Sequence, residues 1–259
     1  MDAMAAIILA AGKGTRMQSS RAKVLHEICG IAMVRYVVET ALSVVEDVVV
    51  VVGHQADAVR EVLSPYPGLR FALQEQQLGT GHAVMTGLPM VPSGTHDVVI
   101  LCGDTPLIRR KTLELLMGEH RASKRSLTLL ATRLEKPYGY GRIVSSSKGD
   151  VLAIVEEADA SEAQKGITTI NSGIYCVHLD FLRSALPDLK RDNAQGEFYI
   201  TDVVAEAYRK GVPAFVMEVP DSIEVLGVNT KADLELAECA VKEAIAEDCQ
   251  NPLDFCRLS

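Results

Sequence analysis

Residues 5–17 read AAIILAAGKGTRM, an apolar run that gives way to a glycine-rich, basic loop. Ala5–Ala10 has the length and composition of a short strand buried on both faces. Gly12 and Gly14 follow directly, and glycine there lets backbone N–H groups approach an anion closely. The loop is not a Walker A motif, because the Gly-x4-Gly-Lys-Ser/Thr spacing is absent. It is not a complete dinucleotide fingerprint either, because Met17 stands where the third glycine belongs. Between Ala3 and His26 lie four basic residues, Lys13, Arg16, Arg21 and Lys23, and no acid. A strand, two glycines and concentrated positive charge together describe a phosphate-binding loop at the carboxyl end of a strand, where ligands sit in open α/β sheets.

The rest of the chain continues that rhythm. Asp47–Val52 (DVVVVV) is a continuous β-branched run, and Val98–Cys102 is another buried strand. Shorter strands are expected at Arg70–Gln74 and Leu127–Arg133. Helices are expected at Ala32–Val45, Gln55–Leu63, Gly81–Met90 and Arg110–Ala122. This alternation predicts an α/β protein with a doubly wound, mostly parallel sheet. From Leu134 to about Asn171 the pattern changes to short strands and turns, as in a β-rich inserted lobe. Helices resume at His178–Leu186 and Thr201–Lys210, followed by a strand at Ala214–Val219. Thr230 opens a last helix, with Asp233 placed as a first-turn acid.

Composition narrows the function classes. The chain has 259 residues, 48% of them hydrophobic, which is enough for one large core or two lobes sharing one. Its formal charge of −8 argues against a nucleic-acid partner, which requires a basic face. No apolar run reaches bilayer length, so no membrane partner is expected. The apolar start lacks the basic region of a signal peptide, and a cytoplasmic protein is expected. The six cysteines are scattered and read as reduced, mostly buried thiols. The six histidines form no metal-spaced cluster, and His26 and His82 read as structural.

Leu9–Met17 followed by Lys23-Val-Leu-His26 resembles the signature of the sugar-nucleotide pyrophosphorylases. Within them it is most similar to the uridylyltransferase half of bifunctional bacterial uridylyltransferase/acetyltransferases that act on amino-sugar phosphates. Further matching segments follow in order: Gln74 with Gln77–Ala83, Cys102–Leu107, Gly139–Ile143, Ile154–Glu157, Ile170–Ile174, Asn193–Asp202 and Gly227–Asn229. The likeness covers about residues 5–235. Ala22 departs from it, standing where a proline usually precedes the lysine. The left-handed β-helix of hexapeptide repeats has no counterpart after Asn229, so acetyl transfer is not expected of this chain.

The resemblance implies a Rossmann-like nucleotidyltransferase domain over residues 1–229, with a sugar-binding lobe at about 134–226 inside it and a C-terminal helix and tail over 230–259. It implies UTP and N-acetylglucosamine 1-phosphate as substrates and Mg²⁺ as the metal. Leu9, Ala10, Ala11, Gly12, Gly14 and Thr15 would bind the nucleotide, with Gly12 and Gly14 shaping the loop around its triphosphate. Arg16 and Lys23 would be catalytic, the first as a bidentate clamp and the second, which also binds the nucleotide, as a point charge. Gln74, Gly79 and Thr80 would meet the base. Gly141, Glu156, Asn171, Tyr199 and Thr201 would hold the sugar, and Asp104 and Asn229 the metal. The attacking phosphate oxygen is already an anion, so alignment and charge neutralisation suffice without a general base. Another base or hexose 1-phosphate is the alternative within this class. A non-catalytic sugar-nucleotide sensor is the alternative outside it, and the intact Arg16, Lys23 and Asp104 speak against that.

Overall fold

The computed structural model describes residues 3–248 and 252–253, apart from the side chains of Thr15, Glu247 and Asp248. The chain opens with β1 (Ala3–Ala10), a small hairpin of β2 (Glu27–Ile28) and β3 (Ile31–Ala32), then α1 (Met33–Leu42), β4 (Asp47–Val52), α2 (Ala56–Val62) and β5 (Arg70–Leu73). It continues through α3 (Thr80–Gly87), β6 (Thr95–Cys102), α4 (Arg110–Ser123) and β7 (Leu127–Arg133). The second half contains β8 (Arg142–Ser145), β9 (Val151–Val155), α5 (Glu162–Lys165), β10 (Thr169–His178), α6 (Leu179–Ala185), α7 (Asp202–Arg209), β11 (Phe215–Glu218) and α8 (Lys231–Asp248).

The central sheet runs β11-β7-β10-β6-β1-β4-β5, and β8 and β9 extend it from the edge of β10 to nine strands. β1 lies between β4 and β6 and is parallel to both. β4 is parallel to β5 and β7 to β11, whereas β10 runs antiparallel to β6 and β7. The expected doubly wound, mostly parallel α/β sheet is therefore present.

The valine run shows why both faces are covered. Successive side chains of a strand point to opposite faces. Val48, Val50 and Val52 enter a core shared with Val34 and Val37 of α1, Val59 of α2 and Leu113 of α4. Val49 and Val51 enter the opposite core, with Val84 of α3, Leu182 of α6 and Val204 of α7. A smaller cluster packs Ala237 and Val241 of α8 on Ile28 and Tyr36. No helix among the described residues is long and apolar enough to cross a membrane.

Three local features differ from expectation. Sequence periodicity does not identify β10, because Asn171-Ser172-Gly173 forms a bulge, with Gly173 at φ +79°, that interrupts the apolar pattern. Of the segment 134–226, β8 and β9 form a branch of the sheet joined to it through the start of β10, while the rest of β10 lies in its middle. The helix expected over Gly81–Met90 stops at Gly87, and Leu88–Met90 forms a single tighter turn around Pro89. The cysteines are also less buried than expected: Cys176 is buried, Cys29 and Cys102 are partly so, and Cys239 is exposed. Cys249, Cys256 and nearly all of the tail lie outside the described residues.

The start of α8 is as expected. The Asp233 carboxylate accepts from the N–H groups of Asn229 (2.9 Å) and Thr230 (2.8 Å), satisfying donors that a helix start leaves without partners.

Ile8 is fully buried in the layer beneath α1 and α4. Ile8→Ala should destabilise the fold by about 3 kcal/mol. Calorimetry should then show a fall in Tm of roughly 6–12 °C, and an unchanged Tm would place the core elsewhere.

Candidate active site

Because β1, β4, β5 and β6 are parallel, the loops after them meet along one edge of the sheet. The Gly103 N–H donates to the Leu9 carbonyl (2.9 Å), joining the turn after β6 to the end of β1. Beyond Leu9, the loop needs glycine at one position. Gly14 has φ +69°, and a Cβ there would lie 2.4 Å from the Lys23 Cβ. The loop closes through a single turn at Thr15–Met17 and is anchored by the fully buried Met17. Ala22 is buried, and Lys23–Leu25 after it makes the turn that presents the lysine.

Lys23, Asp104 and Asn229 converge here from three separate segments. The Lys23 ammonium donates to the Asp104 carboxylate and to the Asn229 carboxamide oxygen (3.0 Å). The Arg16 guanidinium donates to the same Asn229 oxygen (2.7 Å). Asn229 is held by its own Nδ2–H···O=C bond to Gly227 (2.9 Å), and Val228 N–H donates to the Asp104 carbonyl (2.8 Å). A salt-bridge network reinforces this junction. Arg109, next to α4, pairs with Asp221 (3.1 Å) and Glu224 (3.2 Å), and the Thr112 hydroxyl donates to Glu224 (2.6 Å).

Two cavities meet at this cluster. One, of about 480 Å³, is lined by Ala11, Gly12, Gly14, Lys23, Gln74 and Gly79, with Leu9, Thr80, Cys102 and Asp104 in its wall. The other, of about 170 Å³, shares those last four residues and adds Gly141, Glu156, Asn171, Thr201, Gly227 and Asn229. Asp104 thus stands in the wall of both. Tyr199 lies apart from this pair, in a third cavity of about 620 Å³ that also touches Arg16, Glu156 and Glu197. The Ala10 methyl lies in the core, and the Thr15 side chain is outside the described part.

Local bonds orient the remaining groups. Gln74 donates to the Gly79 carbonyl (3.1 Å) and meets His82 Nδ1 (3.0 Å), which makes His82 a supporting residue. Gly79, at φ +109°, packs where a Cβ would stand 2.5 Å from the Phe198 carbonyl oxygen. Gly81 N–H donates to Phe198 O (2.7 Å), Phe198 N–H to Leu78 O (2.8 Å), and Ile200 N–H to the Thr80 hydroxyl (3.0 Å). Asn171 donates to the Tyr175 hydroxyl (2.8 Å) and accepts from Gly173 N–H (3.1 Å).

Glu156 accepts from the Thr201 hydroxyl (3.1 Å). Burial raises its carboxyl above the usual range, and the bond from Thr201 opposes that rise. Burial also pushes the Tyr199 phenol upward, with the Asp159 carboxylate beside it. It likewise raises the Cys102 thiol to about 12, so Cys102 is a neutral wall residue and not a nucleophile.

Residues 6–189 match the MobA-like NTP transferase domain. The chain belongs to that family. Among curated relatives it is 47% identical over 235 residues to bifunctional protein GlmU of Geotalea uraniireducens, covering 90% of this chain and 51% of that protein. It is 46% identical over 246 residues to bifunctional protein GlmU of Brevibacillus brevis, covering 95% and 53%. To bifunctional protein GlmU of Desulfotalea psychrophila it is 44% identical over 236 residues, covering 91% and 69%. The chain spans about half the length of the first two.

Several residues of this NTP transferase domain surround the cavities without having been singled out from sequence. Tyr140 lines the smaller cavity, and burial raises its phenol to about 12. Its loop is stapled from below by Arg142, only 2% exposed, which donates to the Tyr140 carbonyl and to Glu157 (2.7 Å). Glu157 also accepts from Gly139 N–H (3.2 Å). The segment Gly139–Ile143 marked the place, but a wholly buried arginine carries no local sequence signal.

Because folding raises the Glu156 pKa, its ionisation opposes folding. Stability from this group is complete below the ordinary glutamate pKa and is lost as pH rises toward the raised folded value. Glu156→Gln should therefore match the parent's Tm near pH 4 and exceed it at pH 7–8. A Tm gap that shrinks with rising pH would overturn this account of the site.

Proposed function

We propose that the chain transfers UMP from UTP to N-acetylglucosamine 1-phosphate and releases pyrophosphate. The observation that carries this reading is the double exposure of Asp104. One cavity at its side is floored by glycine backbone and basic residues, and the other is walled by carboxylate, carboxamide and hydroxyl groups. A triphosphate suits the first and a polyhydroxylated acceptor the second, and their reacting phosphates then meet beside Lys23 and Asp104. The named relatives and the family are consistent with nucleotidyl transfer.

In the proposed reaction a phosphate oxygen of the sugar phosphate bonds to the α-phosphorus. The bond from that phosphorus to the bridging oxygen breaks, and pyrophosphate leaves with the electron pair. The Gly12–Gly14 loop would hold phosphate oxygens through backbone N–H groups, and Arg16 and Lys23 would neutralise charge that develops at the phosphates. Gln74, already fixed by Gly79 and His82, would face the uracil edge. Glu156, Asn171 and Thr201 would face sugar hydroxyl and acetamido groups, and Tyr199 would flank them from the neighbouring cavity that shares Glu156.

Asp104 and Asn229 offer a hard-oxygen pair suited to Mg²⁺, which keeps several waters and needs few protein ligands. Among the described residues no group of three or more His, Cys, Asp or Glu side chains offers a competing cage. The Lys23 ammonium rests on the same two oxygens, a contact that supports the reading of the pair as a place for positive charge. When bound, Mg²⁺ would supply Lewis-acid charge neutralisation at the phosphates.

Pyrophosphate release should be fastest with UTP and N-acetylglucosamine 1-phosphate among four triphosphates and several sugar phosphates. A preference for glucose 1-phosphate would move the chain to another acceptor, and no release with any pair would favour a sensor. Asp104→Asn should lower kcat by ~10²-fold or more at unchanged fold. Lys23→Ala should reduce kcat more than it raises KM; the reverse pattern would mean that Lys23 contributes only uniform binding.

A further inference from the structure

The Arg109–Glu224–Thr112 network lies outside both reacting cavities, yet it spans the two chain segments that supply Asp104 and Asn229. Asp104 and Arg109 belong to the turn between β6 and α4. Glu224 and Asn229 belong to the connection between β11 and α8. Beside the site, the same segments are also joined by the backbone bond from Val228 N–H to Asp104 O (2.8 Å). The Glu224 side chain is only 7% exposed, and its two oxygens receive Arg109 (3.2 Å) and Thr112 (2.6 Å). Asp221 receives the other arm of Arg109 (3.1 Å) and caps the turn Ser222–Val225 by accepting from Ile223 N–H.

Burying a carboxylate is a poor way to gain stability. The desolvation cost of both ions offsets much of their attraction, and apolar residues of similar volume commonly hold a fold at least as well. What an ion pair adds is direction: Glu224 fits one register of its segment against α4, whereas an apolar pair tolerates several. We propose that Arg109 and Glu224 are positioning residues, a charged latch that sets Asn229 at the correct distance from Asp104 and so determines how well the pair holds a divalent cation. This rests on the assignment of Asp104 and Asn229 to the metal made above.

The test separates holding the fold from holding the metal. The double variant Arg109→Met/Glu224→Leu is examined by Tm, by the Mg²⁺ concentration for half-maximal pyrophosphate release, and by Mn²⁺ affinity from electron paramagnetic resonance with UTP present and sugar phosphate absent. The expected result is a Tm at or above the parent's, with the Mg²⁺ midpoint and the Mn²⁺ dissociation constant raised roughly 10-fold, the scale on which partners behind metal ligands act. KM for the sugar phosphate should stay unchanged. Parental Mg²⁺ and Mn²⁺ values would overturn the latch. If the double variant does not fold, Thr112→Val, which removes only the 2.6 Å bond to Glu224, decides. A shift of the same sign supports the latch and parental values reject it. Asp104→Asn serves as the control. Unchanged Mn²⁺ affinity there removes the metal assignment itself, whereas a weakened Asp104→Asn beside a parental latch variant rejects the latch alone.

Discussion

The contact on which most of this site depends is the ion pair between Lys23 and Asp104. Each side chain is 17% exposed, so water screens their attraction far less than it would on the open surface. The loop after β1 carries Lys13, Arg16 and Lys23 close together, and without a facing acid those charges would repel one another. Asp104 supplies that acid from β6, the neighbouring strand. The pairing requires β1 and β6 to end level, which their parallel register and the Gly103–Leu9 bond ensure. It also requires a tight loop, which Gly14 permits. A regular sheet and one special backbone position are therefore enough to assemble the charged centre.

The frame was legible because it rests on repetitive physics. A strand buried on both faces has to be apolar at every position, and DVVVVV cannot be read otherwise. Lys23 and Asp104 were legible because each sits in a short segment with its own character, a basic loop and a carboxylate after a buried strand, whereas Asn229 was reached only through the resemblance. Strand β10 was not legible, because its bulge places Asn-Ser-Gly in the middle of the sheet, where an apolar pattern would be expected. Arg142 and Glu224 were hidden for a different reason. Each is a charge in the interior, tolerated through a partner, and neither sequence distance nor periodicity announces such a partner. The pairing of Glu224 with Thr112 joins residues 112 positions apart. Tyr199 was placed with the sugar group by resemblance, yet its side chain opens into a neighbouring cavity, a separation that only three-dimensional packing defines.

The same interior charges show how function and stability pull against each other here. Glu156 is held in surroundings that disfavour its ionised form, and the Thr201 hydroxyl and the Arg142 charge offset this only in part. A more stable protein would place a neutral group there. Keeping a carboxylate beside a polar cavity is the arrangement expected where a ligand's hydroxyl or amide groups complete the solvation that the protein leaves unfinished.

The bonds between Leu78–Gly81 and Phe198–Ile200 have a thermodynamic meaning beyond architecture. The rim of the larger cavity is pinned to the segment leading to Thr201 by three N–H donors, and close packing at Gly79 leaves no slack between them. Neither wall can shift without carrying the other. Two ligands seated on opposite sides of such a shared partition are energetically linked, and linkage is reciprocal: whatever factor the first contributes to the affinity of the second, the second returns to the first. A ligand that displaces this partition on one side therefore displaces it on the other.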